Sequence, residues 1–228
     1  MHHLSIFDIA GPIMVGPSSS HTAGACKIGQ FARALYHKTP LKVTFYLHGS
    51  FGEVYKGHAT DRALLGGVMK FRTSDPRIKD AFEIAKGKNI KYEFIKKNLG
   101  PKWHPNTVKI VLERGKYKMS VIGSSIGGGM IEILKIDNFN VKIKGRAGKY
   151  LSLVACYDRD HRILNKIINK IKEFRINVAE TVNTSYRDKT LSVVSLEGRR
   201  ILLPEVLELE QIKGVDFVRA LSKLQKQQ

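Results

Sequence analysis

At 228 residues, with 43% apolar and 8% aromatic residues, the chain has ordinary globular composition and enough apolar material for one large domain or two small ones. Its formal charge of +19 comes from 39 Lys and Arg against 20 Asp and Glu, but these lysines are spread along the chain with no arginine-rich run among aromatics, so solvated faces are expected rather than a nucleic-acid site. Cys26 and Cys156 each stand alone, which excludes a disulfide framework or a CxxC metal site within the chain, and the apolar start is too short and too broken by Asp8, Gly11 and Pro12 to span a bilayer. A soluble cytoplasmic protein with no membrane partner is expected.

In chain order, Ile28, Phe31, Ala32 and Leu35 share one face of a helix beginning near His21. Leu41 to Leu47 alternates as a strand, and helices are expected over Thr60 to Met69 and Pro76 to Lys86. Strands follow at Val108 to Leu112, Lys118 to Ile122 and Ile131 to Ile136, giving a mixed α/β first domain over residues 1–147. A short glycine-containing linker, KGRAGK, ends it. The second domain, 148–228, has a more regular pattern: a strand over Tyr150 to Tyr157 and a helix over Ile163 to Phe174. Two strands, Val178 to Ser185 and Thr190 to Leu196, are followed by a helix over Leu203 to Glu210 opened by Pro204, and by a strand over Val215 to Leu221. The order βαββαβ predicts a ferredoxin-like unit, so the fold class is α+β, with a mixed α/β domain ahead of that unit.

The stretch GPSSSHTAGA, Gly16 to Ala25, collects Ser18, Ser19, Ser20, His21 and Thr22 just before the first helix. A phosphate loop is excluded because Pro17 occupies the position of the lysine in GxxxxGK, and no GxSxG nucleophile elbow is present. Two readings stay open: hydroxyls and free N–H groups at a helix N-terminus that bind a carboxylate, or an ordinary N-cap, for which one serine suffices. The stretch LHGSFGEVYKGHATDRALLGG gathers Lys56, His58, Thr60 and Asp61. His58 is a candidate general base whose tautomer the Asp61 carboxylate would fix; the alternative is a loop histidine ahead of a helix capped by Thr60 and Asp61. Further on come HPNT, ending at Thr107, and SIGGGMIEI, ending at Ile133; the glycine triplet there reads as a tight turn or a place of close approach.

Taken together, FDIAGPIMVGPSSSHTAGA, KGHATDRALLGG, HPNT and SIGGGMIEI, in this order over residues 5 to 137, resemble the β chain of bacterial iron-sulfur-dependent L-serine dehydratases. The C-terminal unit looks like an ACT domain. The resemblance implies conversion of L-serine to pyruvate and ammonia by β-elimination with a 4Fe-4S cluster, whose cysteine ligands belong to a separate α chain. It further implies that Ser18, Ser19, Ser20, His21 and Thr22 hold the substrate carboxylate. His58 is then the base for the α-proton, with Lys56, Thr60 and Asp61 orienting it and His21 as the competing candidate. One feature departs from amino-acid-binding ACT domains: DRDHRIL carries Asp160-His161 where a Pro-Gly pair is expected, leaving open amino-acid sensing or a structural, homodimer-forming role. The rival reading of the whole chain is a non-catalytic ACT-type regulatory module that binds a small anionic metabolite.

Overall fold

The computed structural model describes residues 14–144 and 151–221. The start of the first motif, residues 5–13, and the domain boundary expected at 147/148 lie outside them. Two compact units are present, with the division falling in the stretch beyond Asp137.

In the first unit a π-helical turn, Ser19–Gly24, runs directly into helix α1, Ala25–Tyr36. Strand β1 (Lys42–Leu47) is followed by the short helix α2 (Ser50–Val54) and by α3 (Thr60–Val68). A 3-10 turn over Pro76–Asp80 leads into α4 (Ala81–Gly87). Strands β2 (Lys91–Lys96), β3 (Thr107–Arg114), β4 (Tyr117–Gly127), β5 (Met130–Ile136) and β6 (Phe139–Lys144) complete a six-stranded sheet in the order β2-β1-β3-β4-β5-β6. β1 pairs parallel with β2 and antiparallel with β3, and the β3–β4–β5 meander is antiparallel.

α1 is buried almost all round, which fits its run of Ala, Cys, Ile, Gly and Phe rather than a one-sided stripe. It crosses α3 at glycines: a Cβ on Gly29 would stand 2.4 Å from Leu64 O, and one on Gly67 2.1 Å from Cys26 O. No larger residue fits at that crossing, so the two helix backbones touch, and the turn at the head of α1 is held rigidly against the residues that lead into α3. Gln30 Nε2 adds a bond to Phe71 O, just past the end of α3.

The second unit has β7 (Leu151–Asp158), α5 (His161–Glu173), β8 (Asn177–Tyr186), β9 (Lys189–Glu197), α6 (Leu203–Glu210) and β10 (Val215–Ala220), in the sheet order β10-β7-β9-β8 with every neighbouring pair antiparallel. This is the ferredoxin-like arrangement. Ile163, Ile167 and Ile171, four residues apart on α5, enter one core with Val206 and Leu209 of α6 and with Leu153, Ala155 and Tyr157 of β7. Burial of each such isoleucine stabilises by about 1.5–3 kcal/mol. In the β7–α5 loop Asp160 accepts a hydrogen bond from the Arg162 N–H (2.9 Å) and binds its guanidinium, which with that N–H holds the carboxyl down at about 2. Among the described residues no helix is long and apolar enough to cross a membrane.

Candidate active site

The serine-rich stretch takes a different form from the one its sequence predicts. Only Ser18 precedes the helical turn, and its Oγ accepts the His21 backbone N–H at 3.1 Å, as an N-cap does. Ser19, Ser20 and Thr22 lie inside the π-helical turn, a rare geometry that often marks functional positions. Thr22 is buried and its hydroxyl donates to His58 O at 3.1 Å, so it ties two motifs together and is not free to receive a carboxylate. Ser19 and Ser20 remain half-buried at the turn.

His58 owes its position to the chain around it. His58 N–H donates to Val54 O (3.2 Å), Ala59 N–H to Lys56 O (3.3 Å) and Thr60 N–H to Tyr55 O (2.9 Å). The last two bonds form a Schellman closure with Ala59 at its left-handed position, φ 53° and ψ 28°, where glycine is usual. A left-handed alanine costs roughly 1–2 kcal/mol, so the residue after His58 stores strain.

Around these two stretches the four sequence motifs close into a ring. His21 Nε2 shares a 3.0 Å hydrogen bond with Ser50 Oγ, and its ring meets the Phe51 ring edge-on at 5.4 Å. Phe51 N–H donates to Pro105 O (3.3 Å), Ser125 N–H donates to Asn106 O (2.9 Å), and Ser125 Oγ packs against Gly24, where a Cβ would stand only 2.0 Å away. The His21 and His58 rings lie 5.0 Å apart. Three side-chain atoms in this ring of motifs, His58 Nδ1, Thr60 Oγ1 and Ser125 Oγ, are buried without a hydrogen-bond partner among the described residues. A polar atom left unpaired in a buried place costs about 1–3 kcal/mol, so each of these three calls for a partner that the described side chains do not supply.

Burial, and behind it the neighbouring His58, holds the His21 imidazole below its ordinary pKa, so the ring is neutral at pH 7. Asp61 behaves otherwise than expected. Its carboxylate accepts the Arg62 N–H at 2.8 Å, burial raises its pKa against the opposing pull of Arg62 and Lys56, and it makes no bond to the unpartnered His58 Nδ1. It therefore does not fix the His58 tautomer through that nitrogen. Lys56 is exposed, with its ammonium 5.9 Å from the Tyr55 ring centroid. Sequence reasoning missed Ser50, Phe51 and Ser125, although Ser50 sits between two glycines of a stretch already marked as unusual and Ser125 sits in the glycine-rich fourth motif.

Among the described residues no group of three or more His, Cys, Asp or Glu side chains is arranged to hold a metal ion. Cys26 is buried under α3, donates to Phe71 O at 3.5 Å and has its thiol pushed up to about 12, first by burial and then by Asp75. Cys156 is buried on β7 of the second unit.

Residues 5–135 match the family model described as serine dehydratase beta chain. The chain is 41% identical over 198 residues to the L-serine dehydratase beta chain of Peptoniphilus asaccharolyticus, with 86% of each chain covered. It is 42% identical over 178 residues to the probable L-serine dehydratase beta chain of Bacillus subtilis strain 168, covering 78% of this chain and 79% of that one. A 70-residue stretch, 43% identical, matches 15% of the length of L-serine dehydratase 2 of Escherichia coli. Among solved structures, the ACT domain from the GTP pyrophosphokinase of Chlorobium tepidum covers 32% of this chain and all of its own at 17% identity, with a TM-score of 0.28. Sharing this model across its first domain, and close relatives along most of its length, the chain belongs to the serine dehydratase beta chain family.

Proposed function

We propose that this chain is the β subunit of an L-serine ammonia-lyase that acts with a separate α chain to convert L-serine to pyruvate and ammonia. The observation that carries the reading is the pair of adjacent imidazoles, His21 and His58, set among buried polar atoms that lack partners. The names of the relatives, L-serine dehydratase beta chains, supply the substrate.

The 4Fe-4S cluster that the resemblance implies does not fit this chain. Cluster ligation needs thiolates, usually four; Cys26 is buried with its thiol held protonated, and Cys156 belongs to the other unit. The ligands are assigned to the α chain. What this chain supplies is binding and proton handling. Ser19 and Ser20, at the head of α1, face the substrate carboxylate, a place where helix N–H groups favour an anion. His58 takes the α-proton. The electron pair of the broken Cα–H bond forms the Cα=Cβ bond as the Cβ–O bond breaks, and the departing hydroxide takes up the proton held by His58 and leaves as water, which returns His58 to its basic form. The resulting 2-aminoacrylate takes up water and yields pyruvate and ammonia. His21, neutral and bonded to Ser50, lies beside His58 and keeps the pair from being doubly charged.

Co-expression of this chain with its α chain, followed by anaerobic purification and a pyruvate assay with L-serine, tests the reading. The complex is expected to form pyruvate and the single chain to be silent. Turnover by the single chain free of metal would overturn it, and a homodimer that binds a small anionic metabolite and recruits no cluster-bearing partner would favour a regulatory module.

A further inference from the structure

We infer that Ser50 is a positioning residue for this chemistry: its hydroxyl accepts a hydrogen bond from His21 Nε2–H and so fixes which nitrogen of that imidazole carries the proton beside His58. The inference rests on the lyase reading for its kinetic consequence and on the geometry alone for its structural one.

Ser50 is placed by its neighbours and not by chance. Gly49 before it has φ 52°, where L side chains are strained, and a Cβ there would come within 2.9 Å of Pro105 Cα. After it, Phe51 N–H is held by Pro105 O at 3.3 Å, and the N–H groups of Gly52 and Glu53 both return to Gly49 O, at 2.8 and 3.0 Å. The first residue of α2 is thereby pinned on both sides, and its side chain reaches 29 positions back along the sequence to His21 Nε2.

The proton assignment follows from the other end of the ring. Ser18 Oγ accepts the His21 backbone N–H at 3.1 Å, and we assign its own hydroxyl hydrogen to His21 Nδ1, 3.4 Å away. A neutral imidazole that accepts at Nδ1 carries its hydrogen on Nε2. Nε2–H then donates to Ser50 Oγ at 3.0 Å, the shorter of the two contacts. With Ser50 removed, Nε2 loses its partner and the ring is free to change tautomer or turn.

The test uses the full chain labelled with 15N at histidine, and its Ser50→Ala and Ser50→Thr variants. In the unaltered chain His21 is expected to show a pyrrole-type signal at Nε2 and a pyridine-type signal at Nδ1. Ser50→Ala is expected to mix the two forms, and Ser50→Thr, which keeps a hydroxyl, to restore the single one. In the reconstituted complex Ser50→Ala should lower kcat on the order of tenfold to a hundredfold, the effect of a misplaced catalytic group, with KM for serine little changed and with Thr rescuing. A pyridine-type Nε2 in the unaltered chain, or an unchanged His21 signal in Ser50→Ala, overturns the inference. If the spectra change as expected and no complex forms pyruvate, it is the lyase reading that fails.

Discussion

The imidazole rings of His21 and His58 stand with centroids 5.0 Å apart and planes inclined by 38°. Two cations cannot share that space cheaply, and burial together with His58 holds His21 below its ordinary value of 6.5. The sign of the stability change follows from where the protons sit. In the unfolded chain His21 titrates near 6.5 and in the fold it titrates lower, so between the two values the unfolded state binds more protons. The contribution of this residue is full above pH 6.5 and is lost as pH falls toward the folded pKa. His58→Asn removes the charge contribution but leaves burial, so the His21 titration should move part of the way back toward 6.5. Imidazole NMR titration of the chain and its His58→Asn variant checks this; a His21 pKa that does not rise in the variant refutes the coupling.

In the proposed lyase the same pair divides the kinetic work. Replacing His58 with Ala in the reconstituted complex should lower kcat by roughly two to four orders of magnitude, the worth of a positioned base, with the content of iron and sulfide unchanged. Ser19→Ala or Ser20→Ala should instead raise KM, because these residues are assigned to the carboxylate, and should cost no more than about 1 kcal/mol in stability. If His21→Ala abolishes turnover while His58→Ala spares it, the two roles are exchanged.

The parts of this fold that sequence reveals are those with interior periodicity. The isoleucines of α5 and the alternation of β1, β3 and β4 are plain, and the ferredoxin-like order follows from them. β2 and β6 went unread because they are the two edges of the six-stranded sheet. An edge strand such as Lys91–Lys96, with lysine at both ends and most side chains in solvent, lacks the buried face that produces alternation and carries charge that discourages pairing with other chains. In the site, His21 and His58 could be singled out as unusual, but their contact could not, since it depends on a glycine crossing between α1 and α3 and on Thr22 reaching His58 O. Ser50 escaped for a similar reason: a five-residue helix has no period to read, and nothing in GSFGEV announces a partner 29 residues earlier. Asp61 makes no bond to His58 Nδ1 because proximity in sequence says nothing about which way a helix turns its first carboxylate, here onto the Arg62 N–H.

Ala59 offers a separate measure of how the site is held. Glycine at this left-handed position would relieve roughly 1–2 kcal/mol of backbone strain, against about 0.4–1 kcal/mol of extra entropy in the unfolded chain. Ala59→Gly is therefore expected to stabilise the chain by on the order of 1 kcal/mol, read as a higher urea midpoint with unchanged slope. Its effect on kcat has the opposite sign, because the strained closure fixes His58 and a glycine there loosens it. A variant that is both more stable and more active would show that the strain serves no purpose at this site.

Gly24 carries the sharpest packing constraint on the turn that bears His21. A Cβ at this position would lie 2.0 Å from Ser125 Oγ and 2.7 Å from Ser125 Cβ, and Ser125 cannot retreat freely because its N–H is bonded to Asn106 O at 2.9 Å. Gly24→Ala is expected to destabilise by about 1–3 kcal/mol through overpacking, and to impair turnover as well, since the strand and the turn that bears His21 are forced apart. The two contacts rank the possible rescues. Ser125→Ala removes only the hydroxyl and leaves the 2.7 Å conflict with Cβ, so it should recover little, whereas Ser125→Gly removes both atoms. The double variant Gly24→Ala with Ser125→Gly should recover more stability than the sum of its single changes predicts, a coupling that urea denaturation of the four chains measures directly. Additive effects would mean that the turn and β4 adjust independently, and that the ring of motifs is not a single packed unit.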